Sequence, residues 1–315
     1  MDVLSDILDV LQLRGTLYFR TAFSPPFAVE VPAYRRAARF HLAAQGRCHV
    51  TVQGDHGEEG DHEVVLNTGD LILIPNGAAH VLADGSDTPA ATLDDVLARA
   101  GYTGEGVLVH GGEARPDAEV KLICGHFTFA EGADHPLLRA LPPYLLVTAE
   151  LRARAPWLDE LMRLITRQMF ADAPGVTAAV IRLSEALFIE VIRACAEQDA
   201  TLGGVLQAMG DPRIGRALGL LHREVEKDWT LESIARAVGM SRSRFADRFQ
   251  AQMGCAPMSY LADLRLQKAM NMLADTGEPI QSVAARVGYR SPAAFSRAFA
   301  NRYGRSPREA RRAAH

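Results

Sequence analysis

Cysteine is scarce in this chain: four among 315 residues, at positions 48, 124, 195 and 255. They are widely spaced, which suits reduced thiols in a cytosolic protein. Cys195 and Cys255 fall in helical patterns and are expected to be packing residues. No apolar run of 18 residues occurs, so no membrane-spanning helix is expected. The start, Met1-Asp-Val-Leu-Ser-Asp6, is acidic and lacks the basic opening of a signal peptide, so the chain is expected in the cytoplasm. Positive charge is in deficit overall, 34 Lys and Arg against 38 Asp and Glu. That deficit is uneven. Residues 211–315 hold 18 basic against 10 acidic side chains, and the remainder holds 16 against 28. A basic end on an acidic partner suits a protein that binds nucleic acid at one end only. The length points to two domains.

The basic end contains one stretch twice. Ile234-Ala-Arg-Ala-Val-Gly239 continues through Phe245 and Phe249 to Gly254 and Pro257. Val283-Ala-Ala-Arg-Val-Gly288 continues through Phe295 and Phe299 to Gly304 and Pro307. The offset is 49 residues up to the glycine and 50 beyond it, so the second copy has one extra residue in its turn. Each copy reads as helix-turn-helix. Ile234, Ala235 and Val238 lie at helical spacing, as do Val283, Ala284 and Val287. Glycine follows where a helix end favours positive φ, and Ser241 and Ser291 suit the cap of the next helix. The paired phenylalanines face the partner helix. The opposite face is left for DNA and carries Arg242, Ser243, Arg244, Ala246 and Asp247 in the first copy. In the second it carries Arg290, Pro292, Ala293, Ser296 and Arg297. Arg244 and Arg297 are the best candidates for reading bases. Arg242, Arg248, Arg290 and Arg302 are better placed for phosphate or packing. An apolar pattern from Tyr260 to Leu273 predicts one helix joining the copies, rigid enough to serve two successive major grooves, about 34 Å apart.

This region resembles the AraC/XylS family of bacterial transcription regulators. The resemblance rests on Trp229-Thr-Leu-Glu-Ser-Ile-Ala, Gly239-Met-Ser-Arg-Ser-Arg-Phe, Arg265-Leu-Gln-Lys-Ala, Val287-Gly-Tyr, Ala294-Phe-Ser-Arg-Ala-Phe and Gly304-Arg-Ser-Pro. It implies double-stranded promoter DNA and RNA polymerase as partners, and an effector that a second domain senses.

Ahead of that module, short β-rich runs alternate with Gly, Pro and Asp turns from about residue 15 to 130, the pattern of a sandwich or barrel. Gly69-Asp-Leu-Ile-Leu-Ile-Pro75-Asn-Gly77-Ala-Ala-His80 resembles the second motif of cupins, which are small jelly-roll barrels. His135-Pro-Leu-Leu-Arg-Ala-Leu-Pro looks like a segment closing such a sensor. The fold class expected is therefore α+β in two domains: an N-terminal cupin-like β-barrel with a helical linker, and a C-terminal all-α double helix-turn-helix. The expected boundaries are 1–150, 151–208 and 209–315. Residues 3–13 form an amphipathic helix that packs on the following domain or on a second subunit. Residues 85–118 read as an insertion, mobile around 104–118. The helical stripes of 156–198 serve either as a homodimer seam or as packing within one chain.

Cupin barrels often hold a metal on inward histidines. Here the first-motif positions fall on Ala33, Arg35 and Arg39, so the usual ligands are absent and oxygenase chemistry loses support. With Gln45-Gly46 as a hairpin turn, His41 faces Val50, and His41, Cys48 and Val50 share the inner face. His80 points inward as well, and Cys124 and His126 share a face on one strand. The expected metal set is His41, His80 and Cys124 with His126 or water, which suits zinc. A zinc-bound thiolate would also sense oxidants or electrophiles. The function expected is a sequence-specific DNA-binding regulator, not an enzyme, that senses a small molecule, a metal or a redox signal. The rival reading is a cupin-type metal-dependent enzyme with an accessory helical domain.

Overall fold

The computed structural model describes residues 2–34, 37–54, 60–104, 106–113, 119–169 and 174–314. Along the chain come α1 (Val3–Leu11), β1 (Arg14–Ser24), β2 (Ala28–Val31), β3 (Ala37–Gln45), β4 (Cys48–Val52), β5 (His62–Leu66), β6 (Leu71–Ile74) and β7 (His80–Ala83). Then follow β8 (Ala91–Thr92), α2 (Leu93–Ala100), β9 (Val107–Gly111), β10 (Val120–Thr128), α3 (Pro136–Arg139), β11 (Leu145–Val147), α4 (Ala149–Arg154), α5 (Pro156–Met169) and α6 (Val176–Cys195). The rest is helical: α7 (Ala200–Gly210), α8 (Ile214–Arg223), α9 (Leu231–Ala237), α10 (Arg242–Met253), α11 (Pro257–Asp275), α12 (Ile280–Arg286), α13 (Pro292–Tyr303) and α14 (Pro307–Ala314).

Two compact units form, and neither is continuous in sequence. The first comprises Arg14–Thr128 and Leu141–Asp199, the second Met1–Leu13, Phe129–Ala140 and Ala200–His315. The units thus cut across the boundaries expected at 150 and 208.

The β unit holds a six-stranded sheet, β11-β6-β3-β10-β1-β9, and a five-stranded sheet, β5-β4-β7-β2-β8. Their facing sides bury one cluster that includes Phe23, Phe27, Val50, Leu66, Ile72 and Cys124. The central strand β3 is buried on both sides. Its outward Phe40 stacks on Phe127, ring centroids 5.3 Å apart, and Phe127 packs at 5.0 Å on Phe188 of α6. Gly15 lets α6 approach, because a Cβ there would meet Ser184 Oγ at 2.6 Å. The apolar stripe of α6, with Val180, Leu187, Phe188 and Val191, is buried inside this chain. Of the two roles expected for 156–198, packing within one chain is what the stripe does here.

Two expectations need correction. β3 and β4 do not form a hairpin: β3 pairs with β10 and β6, while β4 pairs with β5 and β7 in the other sheet. Gln45-Gly46 carries the chain from one sheet to the other. Gly46 has φ +81°, and a Cβ on it would meet the Glu119 carbonyl oxygen at 2.8 Å. The segment expected to be mobile contains β9, which pairs in parallel with β1 from Arg20–Val107 to Ser24–Gly111. Leu108 anchors it in the core. Residues 105 and 114–118 of that segment lie outside the described residues.

In the helical unit the repeat is realised as read. α9 and α10 are joined by residues 238–241, α12 and α13 by 287–291, and the second turn has the extra residue. Gly239 and Gly288 take φ of +67° and +85°. Ser291 accepts the Ala294 amide at 3.3 Å as a cap, whereas Ser241 makes no such bond. Phe245 and Phe249 lie 5.7 Å apart, Phe295 and Phe299 5.6 Å apart, and all four are fully buried. The connector is α11, as expected.

Phe299→Ala should destabilise the helical unit by about 3–5 kcal/mol, whereas Arg297→Ala, on an exposed face, should stay within about 0.5 kcal/mol. Urea denaturation of the two variants checks this. Equal midpoints would contradict the assigned faces.

Candidate nucleic-acid interface and a buried thiol–imidazole chain

The reading candidates gather on the two second helices. On α10, Arg242, Ser243, Arg244 and Asp247 are exposed, and on α13 Ala293 and Arg297 are exposed with Ser296 half-buried. Arg242, Arg244 and Arg297 have no hydrogen-bond or ion-pair partner among the described residues. The remaining candidate arginines, Arg248, Arg290 and Arg302, are engaged. Arg248 is ion-paired to Asp211, just before α8. Burial alone would raise the Asp211 carboxyl. The amides of Ile214 and Arg213 and the Arg248 guanidinium outweigh it and hold the carboxyl below its usual range. Arg290 pairs with Asp228 at the surface, a contact of small net worth that leaves its guanidinium open to phosphate. Arg302 lies 2.8 Å from Asp134 and 3.4 Å from Asp263, so it is a packing residue. Sequence reasoning left that choice open.

In the β unit the expected inward groups do meet. Cys124 lies opposite His41 in the β10–β3 register. His41 Nδ1 is 3.1 Å from Cys124 Sγ, and His41 Nε2 is 2.8 Å from His80 Nε2. His80 Nδ1 lies 2.9 Å from the Ala78 carbonyl oxygen. A carbonyl only accepts, so His80 carries its proton on Nδ1 and accepts at Nε2. His41 therefore donates from Nε2 and accepts at Nδ1 from the Cys124 thiol. One backbone carbonyl fixes every proton in the chain. Electrostatics agree with this neutral state. Burial, then the neighbouring His80 and Arg39, holds His41 well below the usual imidazole range. Burial lowers His80 to about 4. Burial pushes the Cys124 thiol well above its usual range and the Cys48 thiol up to about 12.

The donor types are those zinc favours, but their arrangement is different. His41 turns one ring nitrogen to Cys124 and the other to His80, so no single point is close to all three donors. Among the described residues no group of three or more His, Cys, Asp or Glu side chains is placed to hold one metal ion. His126 sits two residues further along β10, opposite Arg39, with its ring 6.4 Å from that of Tyr34. Arg35 lies outside the described residues.

Known proteins fit both halves. A cupin family model matches residues 2–197, and a helix-turn-helix domain model matches 234–313. A putative AraC-like transcription regulator of Streptomyces antibioticus is 31% identical over 99% of both chains. The chain belongs to the AraC-like transcription regulators. This regulator is also 28% identical to the HTH-type transcriptional regulator AlkR of Acinetobacter baylyi, over 99% of each chain. An uncharacterized HTH-type transcriptional regulator of Haemophilus influenzae is 27% identical over 99% of each. No helix of the described residues is long and apolar enough to cross a membrane.

The neutral imidazoles make the stability of the regulator pH-dependent. A histidine held near 4 when folded protonates near 6.5 when unfolded, so unfolding takes up protons between those values. Stability is complete above about 6.5 and falls as the pH drops through that window, by on the order of 1–2 kcal/mol per buried imidazole at pH 5. The thermal midpoint should therefore be lower at pH 5 than at pH 7.5. An unchanged midpoint would mean that the buried imidazoles, His135 and His222 included, are charged in the fold.

Proposed function

We propose that this regulator reads an operator with α10 and α13 placed in successive major grooves, and that its cupin-like unit senses the signal that changes this binding. The observation that carries the reading is the exposed, uncommitted arginine face on each of the two helices. Helix N-terminal residues reach base edges in this mode of docking, and a guanidinium bonds guanine in bidentate fashion. The exposed cations nearby supply affinity through phosphate. The two faces are not copies of each other. At the offset of 50, Arg244 corresponds to Ala294 and Arg297 to Asp247. The two half-sites therefore differ in sequence, and one protomer suffices to read both. RNA polymerase is the partner through which such a protein acts on transcription, and a second copy of the chain is a further partner. The effector belongs to the small-molecule or redox class.

The enzyme reading has less support. The first-motif ligand positions are vacant of histidine, and the chain's full-length relatives are regulators.

Selection of operators from random duplex DNA, followed by footprinting, tests the proposal. The expected result is two unlike half-sites about 10 bp apart. Arg297→Ala should cost about 1–3 kcal/mol and relax one base position in one half-site, and Arg244→Ala should do so in the other. Uniform weakening across all sequences would assign these arginines to phosphate instead.

A further inference from the structure

We infer that the segment Phe129–Ala140 is the coupler of this regulator: it continues the sensor strand β10 and positions the second reading helix, α13. The inference rests on the reading of α13 as a DNA-contacting helix.

Two observations carry it. The first is attachment. Phe129 follows directly on Thr128, the end of β10, and β10 is the strand that bears Cys124 and His126. Yet the segment belongs to the helical unit, not to the β unit that surrounds it in sequence. The second is how it is held there. Glu131 is ion-paired to Arg305, two residues beyond the end of α13. Asp134 lies 2.8 Å from Arg302, in the last turn of α13. Between the two acids, Gly132 takes φ +69°, and a Cβ on it would meet Cε1 of Tyr303 at 2.5 Å. The segment is thus keyed to three residues at one end of the reading helix, by two ion pairs and a close backbone approach.

The remainder of the segment is fixed to α11. The Glu131 carbonyl accepts from Gln267 Nε2 at 3.1 Å. His135 Nδ1 accepts the Leu137 amide at 3.0 Å, so its Nε2 donates to the Tyr260 hydroxyl, 3.0 Å away. That hydroxyl in turn donates to His222 Nε2 at 2.7 Å. Displacement of β10 along its axis therefore acts on the C-terminal end of α13 through the covalent chain. Glu131 and Asp134 are positioning residues. They touch no base, and they act through Arg302 and Arg305.

The test uses the full chain and the operator that the wild-type protein selects. Glu131→Gln combined with Asp134→Asn should raise Kd at least fivefold. The α13 half-site should lose protection and base preference while the α10 half-site keeps both. Gly132→Ala, which displaces Tyr303 without changing charge, should give the same one-sided loss, and Asp134→Glu in place of Asn should restore much of it. A purely structural role would weaken both half-sites together, and that outcome overturns the inference, as does wild-type binding by both disruptive variants. A wild-type protein that selects no sequence would instead sink the DNA-reading proposal itself.

Discussion

The helical unit depends on one constraint, the burial of α11 along its whole length. Tyr260, Leu261 and Leu264 are buried in its first half, and Leu266, Ala269, Met270 and Leu273 in its second. The second set shares a core with Val283, Val287, Phe295 and Phe299 of the second repeat. Polar side chains lock the helix in the same position. Arg265 donates to the carbonyls of Val225 and Lys227 at 2.9 and 2.7 Å, and Lys268 donates to that of His222 at 2.6 Å. A helix of 19 residues spans about 28 Å at 1.5 Å per residue. Both repeats pack on this one rod, so the spacing of α10 and α13 follows from packing and not from a flexible tether. The buried Tyr260 hydroxyl is tolerated because two neutral imidazoles satisfy it. Burial drives both His135 and His222 down to about 3.

The repeat was legible because its signals are periodic and local. Apolar residues at helical spacing, a glycine at each turn and an offset that grows by one residue are visible in the sequence, and each maps onto a described element. The discontinuity of the units was not legible. Residues 129–140 are tied to the helical unit by single contacts of Glu131, Gly132, Asp134 and His135 and by the buried Pro136 and Leu137, without any period. Likewise α1 is tied to that unit by its buried Ile7 and Leu11 and by two of its backbone carbonyls. The Leu11 carbonyl accepts from Ala130 at 2.7 Å, and the Val10 carbonyl accepts from Asn271 at 2.7 Å. Nothing in a nine-residue amphipathic pattern names its partner.

The β unit keeps the expected inner face although the expected hairpin is absent. A hairpin at Gln45-Gly46 was the natural reading of two short strands across a glycine. The glycine serves a different need, the approach of the chain entering β10. Because β3 and β4 lie on opposing sheets, their inward residues still converge, and His41, Cys48 and Val50 remain interior. Sequence could place these groups on an inner face but could not supply the tautomers. Those follow from the Ala78 carbonyl, which converts a set of zinc-type donors into a neutral hydrogen-bonded chain. Thiol reactivity follows thiolate content and exposure, and Cys124 has little of either while the chain is intact.

Charge shows the same separation between what composition states and what structure uses. The excess of basic residues in 211–315 suggests a broad electrostatic footprint. The structure divides those cations. Arg248, Arg302 and Arg305 neutralise carboxylates of their own unit, and Arg265 serves backbone carbonyls. Arg242, Arg244 and Arg297 stand exposed and uncommitted. Counterion release counts the phosphates actually neutralised, not formal charge. The salt dependence of DNA binding should therefore follow the smaller, exposed set. Removing an internally paired arginine should disturb the geometry of the reader more than its electrostatic attraction to DNA.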